Sequence, residues 1–237
     1  MPSGKRFRFN SELTTASTAG CLKFRDNRFF HWILAMAAAV VLASAWRPER
    51  VFDWFLENAC VTCVLLLVVL SYRKLPLSDL SYVLLLIYLA IHEWGAHYKY
   101  SDVPLGEWLK PLLHTRRNMY DRLAHFSFGL LMSYPLQEFF MRKVGVRSGW
   151  RYLLPVEAIL SFSAIYEILE AVMAMILSPQ RGEEFVGMQG DMWDSQEDML
   201  MAGLGSVAAM LMVYAVRRRI AARAVKRELA ELARPAG

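Results

Sequence analysis

Two histidines and a glutamate close a long apolar run in the stretch IHEWGAHYKY, residues 91–100. Zinc proteases carry H-E-x-x-H, with the two histidines one helical turn apart and facing one metal. Here the order is His92-Glu93-x-x-x-His97, and five residues at about 100° each put the histidines roughly 140° apart. HEWGAH is therefore not a protease motif. His92 and Glu93 differ by about 100° on a helix. At most one of them is expected to turn inward beside His97 or Asp121, the other facing headgroups or the adjoining loop, with Gly95 loosening the last turn.

Other chemistry-bearing residues recur at helical spacing. Asp121 and His125 are i,i+4, Glu167 and Glu170 are i,i+3, and Asp191, Asp194 and Asp198 form an i, i+3, i+7 stripe; such pairs share a helix face. Acids and imidazoles converging from facing helices build carboxylate metal sites in bundles. Without a cation, clustered carboxylates repel and some hold their protons. Asp121, His125, Glu167, Asp191, Asp194 and Asp198 are thus candidate ligands of a divalent metal, Zn or Mn by the mixed donors and Mg by an oxygen-rich subset. Asp121, His125, Glu167 and Asp194, with His92 as second candidate, are placed to act as catalytic acids, bases or ligands. Plainer readings stand beside these. Asp191 and Asp194 suit the first turn of a helix by its dipole alone, His97 suits an interface, and Glu170 suits headgroups.

These residues need elements to hold them, and the composition says which kind. Hydrophobic residues make up 56% of the 237, above the roughly 45–50% of soluble domains, and they fall in blocks of about 20, the length that spans a bilayer. The fold class read from this is all-α: a polytopic membrane bundle of about six helices over 29–216. A basic segment, 1–28, precedes it, and a basic tail, 217–237, expected to lie on an anionic leaflet, follows. The six segments are Phe29–Trp46, Asp53–Tyr72, Leu77–Tyr98, Met119–Met141, Gly149–Leu177 and Asp191–Val216, with loops at 99–118 and 178–190. Nineteen of the 27 Lys and Arg residues gather on one side when the N-terminus is inside. The positive-inside rule then places both termini in the cytoplasm. The +5 net charge is spent on that orientation, and no nucleic-acid partner is expected. The first apolar run is read as a membrane helix, since no small-residue cleavage site follows it. Cys60 and Cys63 form C-x-x-C inside an apolar block and read as small membrane-helix residues. Small residues Ala202, Gly203, Gly205, Ser206 and Ala209 suit close helix contact in lipid and mark the last segment as central. Neither an internal repeat nor a P-loop, Rossmann or nucleophile-elbow motif is present, which argues against nucleotide-dependent, dinucleotide and serine-hydrolase chemistry.

YDRLAHF (120–126), YEILE (166–170), GMQGDMWDSQEDM (187–199) and HYKYSDVPLG (97–106) resemble the YjdF-like family of bacterial inner-membrane proteins over roughly residues 30–216. The resemblance implies an inner-membrane location and no particular reaction. A weaker similarity, over about residues 119–216, runs to VanZ-like membrane proteins, associated with glycopeptide-antibiotic tolerance. Those have a D-x-x-x-H-F helix, a later acid and a D-x-x-x-[N/D] helix followed by glycines. Asp121, His125, Glu167, Asp194 and Asp198 match these positions, with Asp198 standing where Asn is expected.

The functional expectation is a polar, metal-capable pocket at the outer leaflet acting on a lipid-linked or envelope substrate by hydrolysis or headgroup transfer. Membrane lipids are the expected partners, and the oligomeric state is open. Two other classes stay in view. Ion or proton transport would need a polar path onward through Gln137, Glu138, Glu157, Ser161 and Ser163, beside a helix kinked at Pro135. The bland inner reading is charge pairing of Glu138 with Arg142 and of Glu157 with Arg151. A purely structural protein would use the acids and His to tie helix ends to Arg116, Arg117 and Arg122.

Overall fold

The computed structural model describes residues 24–177, 182 and 186–232. Expectations made for residues 1–23, for part of the loop 178–190 and for 233–237 lie outside the described residues. Among the described residues the regular structure is helical, in seven α-helices: α1 Arg28–Ser44, α2 Val51–Ser71, α3 Asp79–Tyr98, α4 Pro104–Leu113, α5 Tyr120–Phe139, α6 Trp150–Ile176 and α7 Asp194–Leu232. Three of them, α2, α6 and the Asp194–Arg227 part of α7, are long and apolar enough to cross a membrane by length and composition, with mean hydropathies of 2.0, 1.8 and 2.0. The 20 residues of α3 and of α5 reach about 30 Å at 1.5 Å each, but buried polar side chains dilute their apolarity. The 17-residue α1 is apolar and shorter.

Side-chain caps fix several boundaries. Asn27 accepts the Phe30 N–H at 3.0 Å to open α1. Ser78 opens α3 by accepting the Ser81 N–H at 3.3 Å. The Glu138 carboxylate on α5 joins that cap, accepting from Ser78 N–H at 3.0 Å, Ser78 Oγ at 2.9 Å and Ser81 Oγ at 2.5 Å. Glu138 also pairs with Arg142 at 2.5 Å, as expected. The expected Arg151–Glu157 pair does not form among the described residues. Glu157 is exposed, and the Arg151 guanidinium lies over the Tyr152 ring at 5.0 Å instead.

Two expectations about connectivity are corrected. The segment 99–118 is not a plain loop, for it holds a 3-10 turn, Tyr100–Asp102, and α4. Pro104 sits in the first turn of α4, where its missing N–H costs nothing. The basic tail is not a separate helix either. No Gly or Pro interrupts the chain between Gly205 and Pro235, so α7 runs on through Arg217 to Leu232. Its 39 residues make a rod of about 58 Å, nearly twice the ~30 Å hydrocarbon core.

The centre is the seam between α5 and α7. A Cβ on Gly129 would lie 1.9 Å from the Ala202 carbonyl oxygen, and one on Gly205 would lie 2.1 Å from that of Phe126. The two backbones therefore touch, and only glycine permits it. Ser133 and Ser206 join their hydroxyls across this seam at 2.6 Å. Ala202 and Ser206 are completely buried, so the small-residue stripe places α7 at the centre. Packed on this pair are α3 and α6, with α1 and α2 against α3.

Candidate functional site

The site is held at the start of α5 by a well-satisfied turn. Asn118, completely buried, accepts the Tyr120 N–H at 3.1 Å and donates to the Val103 carbonyl at 3.0 Å and to Glu107 at 2.8 Å. Its own N–H reaches Gln189 Oε1 at 2.8 Å. Tyr120 then donates its hydroxyl to the Ile91 carbonyl at 2.7 Å. The first turn of α5 is thereby fixed against α3, α4 and the segment before α7.

From that turn Arg122 enters the interior with a side chain 4% exposed. It pairs with Asp198 at 2.6 Å, Asp194 and Glu197 at 2.9 Å each, and Asp191 at 3.0 Å. Arg117 adds pairs to Asp194 and, at 3.9–4.0 Å, to Asp191 and Asp121, and donates to the Met188 carbonyl at 2.7 Å. The acidic opening of α7 is thus bound by two guanidiniums, Arg122 of α5 and Arg117 just before it. Breaking one buried pair of this kind costs about 3–5 kcal/mol, because the stranded charge has no water to turn to.

Beside this network lies a second grouping. Asp121, His125 and Asp198 each present a donor atom, and these atoms all lie within 4.8 Å of one another. His125 Nε2 stands 3.7 Å from Asp121 Oδ1 and 3.6 Å from Glu167 Oε1. Those separations are too long for hydrogen bonds. They are close to the spacing of about 3.4 Å between donors that share a tetrahedral ion at 2.0–2.1 Å. Two buried oxygens here, Glu167 Oε1 and Asp198 Oδ1, have no hydrogen-bond partner. Asp198 gives its other oxygen to Arg122, so its free oxygen is the one available to a cation.

The remaining candidates lie elsewhere. Asp194 is taken up by Arg117 and Arg122, Asp191 sits at the rim with a side chain 27% exposed, and Glu170 is half-buried. His92 is apart from the Asp121 grouping: its Nδ1 meets the Tyr100 hydroxyl at 2.6 Å. Burial pushes the Tyr100 hydroxyl well above the usual tyrosine range, with Glu57, Tyr88, Asp121 and Tyr120 adding repulsion. Tyr100 therefore keeps its proton and donates it to Nδ1, which assigns the other hydrogen to His92 Nε2, an atom with no partner.

The expectation for His92 and Glu93 holds for the loop, since His92 meets Tyr100 of the 99–118 segment, and needs correction for the headgroups. Neither faces headgroups: the two are 4% and 1% exposed. α3 packs against α1, α2 and α5, so residues 100° apart both find protein. Glu93 accepts a short bond from Ser44 Oγ, to which Trp54 Nε1 also donates at 2.6 Å. His97 Nδ1 meets the Ser44 carbonyl at 2.8 Å. Gly95 does not loosen the helix either. It clears space for the Tyr100 ring, which a Cβ there would approach to 2.5 Å.

Two participants were not singled out from the sequence. Glu57 of α2 is buried and accepts the Tyr166 hydroxyl at 2.5 Å, and Tyr166 lies edge-on to His125 with ring centroids 6.1 Å apart. An acid inside the apolar block VFDWFLENACVTC is the available signal, beside cysteines that are exposed and free. Arg122 entered only as a possible salt-bridge partner. It proves to be the hub.

A family described as "Predicted membrane protein (DUF2238)" matches residues 29–219. The Escherichia coli (strain K12) protein "Inner membrane protein YjdF" is 34% identical over 159 residues, covering 67% of this chain and 76% of that one. No solved structure matches. The likeness to VanZ-like proteins rests on sequence motifs alone.

Proposed function

The chain belongs to the DUF2238 family of membrane proteins, a multi-pass protein of the bacterial inner membrane, and on that premise we propose that it binds a divalent metal through Asp121, His125 and Asp198 and uses it on a lipid-linked envelope substrate. One observation carries the reading. Four carboxylates converge with little exposure, Asp121, Glu167, Asp194 and Asp198, against two guanidiniums, Arg117 and Arg122. If all are ionised, two negative charges stay uncompensated, and the two partnerless oxygens lie on Glu167 and Asp198. A single divalent cation at the three donors supplies that charge. Zn and Mn suit the mixed imidazole and carboxylate donors, and Mg suits the oxygens.

With both termini cytoplasmic, the site lies at the depth of the outer leaflet, where a lipid headgroup reaches it. A bound ion supplies Lewis acidity toward a phosphoryl or acyl oxygen or toward water. Glu167, with one oxygen unspent 3.6 Å from His125, is the group positioned to take up a proton, while Asp194, held by both arginines, keeps α5 and α7 in register. The test is to reconstitute the protein with Zn, Mn or Mg, supply extracted envelope lipids, and follow headgroup loss by mass spectrometry. The reading expects turnover that chelation and His125→Ala abolish. Unchanged lipids with every ion would refute the enzymatic part.

A structural role is supported by the Arg122 network, which joins α5 to α7 whether or not a metal binds. A transport path has less support: Glu157 and Ser161 are exposed, and the α5 and α7 backbones touch at Gly129 and Gly205.

A further inference from the structure

Helix α4 packs on the protein by one edge and turns an apolar face outward. Gly106 makes the close edge: it is buried, and a Cβ there would lie 1.6 Å from Asn118 Oδ1. Val103, just before the helix, is completely buried, and Asn118 holds its carbonyl. Glu107 accepts from Asn118 and pairs with Lys110 at 2.6 Å, so the two charged side chains of α4 are spent on each other. Trp108 and Leu112 stand away from that edge. They are one turn apart and differ by about 40° around the axis, with 74% and 72% of their surface exposed, and Leu113 after them is 52% exposed. A contiguous apolar face of this kind marks a contact.

The place of α4 in the bundle says what covers it. Its ten residues span about 15 Å, half the ~30 Å hydrocarbon core, so it does not cross the membrane. Five residues join it to α3 and six join it to α5, both long enough to cross. It therefore stays at the membrane surface, at the end of the bundle that carries the Asp121 grouping. Other exposed tryptophans mark that level. Trp94, in the last turns of α3, is 42% exposed, and its ring lies edge-on to Tyr120 with centroids 5.8 Å apart. Trp46 follows α1, whose end is joined to that of α3 by the Glu49 N–H to His97 carbonyl bond at 2.9 Å. Trp193 precedes α7; these two are 74% and 59% exposed. Tryptophans collect where hydrocarbon meets headgroups. A short helix at that level, with paired charges along one edge and an apolar face on another, fits the plane of the interface.

We infer that α4 is an interfacial helix lying flat on the bilayer, with Trp108 and Leu112 sunk among the lipids at the boundary of headgroups and acyl chains. Its partner is the lipid surface itself. Asn118 clamps α4 to the first turn of α5, so this anchorage fixes the depth of Asp121 and His125 at the headgroup level. Contact of α4 with lipid needs no ion and no turnover, and so goes beyond the metal reading.

The experiment reconstitutes the full-length parent, Trp108→Phe and Trp32→Phe into phosphatidylcholine vesicles, with and without bromine on the acyl chains near the headgroup. The emission of the parent minus that of each variant gives the signal of the replaced tryptophan. Trp32, 71% exposed on α1, is the lipid-facing reference. The Trp108 signal should be lost in brominated vesicles as far as the Trp32 signal is, and acrylamide in the water should quench it little. A reporter moved one turn along the same face, Leu112→Trp in the Trp108→Phe background, should behave likewise. Both reporters persisting in brominated vesicles would overturn the inference. If acrylamide then quenches them strongly, the face stands in water; if they are shielded from acrylamide too, a second copy of this chain covers it. Neither result bears on metal content, so the metal reading stands or falls separately.

Discussion

Replacing Arg122 by Met keeps most of the side chain's volume and removes its charge and its N–H donors, the bond to the Asp194 carbonyl at 2.8 Å among them. In the parent, Arg122 meets Asp198 at 2.6 Å and Asp194 at 2.9 Å, with these three side chains only 3–4% exposed. Glu197, 53% exposed, and Asp191, 27% exposed, keep access to solvent and contribute about 0–1 kcal/mol each. Asp194 keeps Arg117 in the variant. The loss therefore falls on Asp198, and Arg122→Met should destabilise the protein by about 3–5 kcal/mol, the cost of stranding one buried charge. Adding Asp198→Asn removes the stranded charge, so the double variant should be more stable than Arg122→Met alone, with a coupling of about 2–3 kcal/mol in the cycle. Unfolding in mixed micelles against increasing SDS, followed by tryptophan fluorescence, measures all four proteins. A loss below about 1 kcal/mol for Arg122→Met, or a double variant weaker than the single, would refute the view of Arg122 as the hub.

Three further outcomes follow from the geometry. Gly129→Ala places a Cβ against a backbone oxygen that no rotamer change can move, so α5 and α7 must separate; about 1–3 kcal/mol of stability should be lost in the same assay, and no loss would contradict the close seam. Lys110, and then Asn118, hold the Glu107 carboxyl below its usual range by hydrogen bonding. A depressed folded pKa stabilises above the ordinary carboxylate range and is lost as pH falls through the folded value. Glu107→Gln should therefore loosen α4 at neutral pH by no more than about 1 kcal/mol, since Glu107 is half-exposed. Parent and variant should converge in acid, as read by quenching of the α4 tryptophan. Tyr166→Phe removes the bond to Glu57 and should cost about 1 kcal/mol while metal content stays unchanged; loss of metal would place Glu57 and Tyr166 inside the metal site.

The apolar blocks were legible because membrane helices are written in length and apolarity, and the ends of α1 to α3, α5 and α6 fall within three residues of the sequence reading. The end of α7 was not, since the reading stopped where the apolar residues stop, at Val216, whereas helical backbone needs only the absence of Gly and Pro to continue. Helix α4 was missed because its prolines read as breakers. At the site, i,i+4 spacing pointed to Asp121 and His125, and the structure sets them beside Asp198. What spacing cannot convey is competition among partners. Asp194 and Asp198 sit on the same stripe, yet two arginines claim Asp194 while Asp198 keeps one oxygen free. Nor can a single helix show that α3 meets protein on both the His92 and the Glu93 side, whereas the spacing alone divides them between protein and headgroups or loop.

The most direct measurement is elemental analysis of the purified protein beside an Asp121→Asn/His125→Ala variant, which leaves the Arg122 pairs in place. The account predicts about one divalent ion per chain in the parent and none in a variant that still folds. Parent protein that holds no ion after incubation with Zn, Mn or Mg, or a variant that holds as much as the parent, would contradict it.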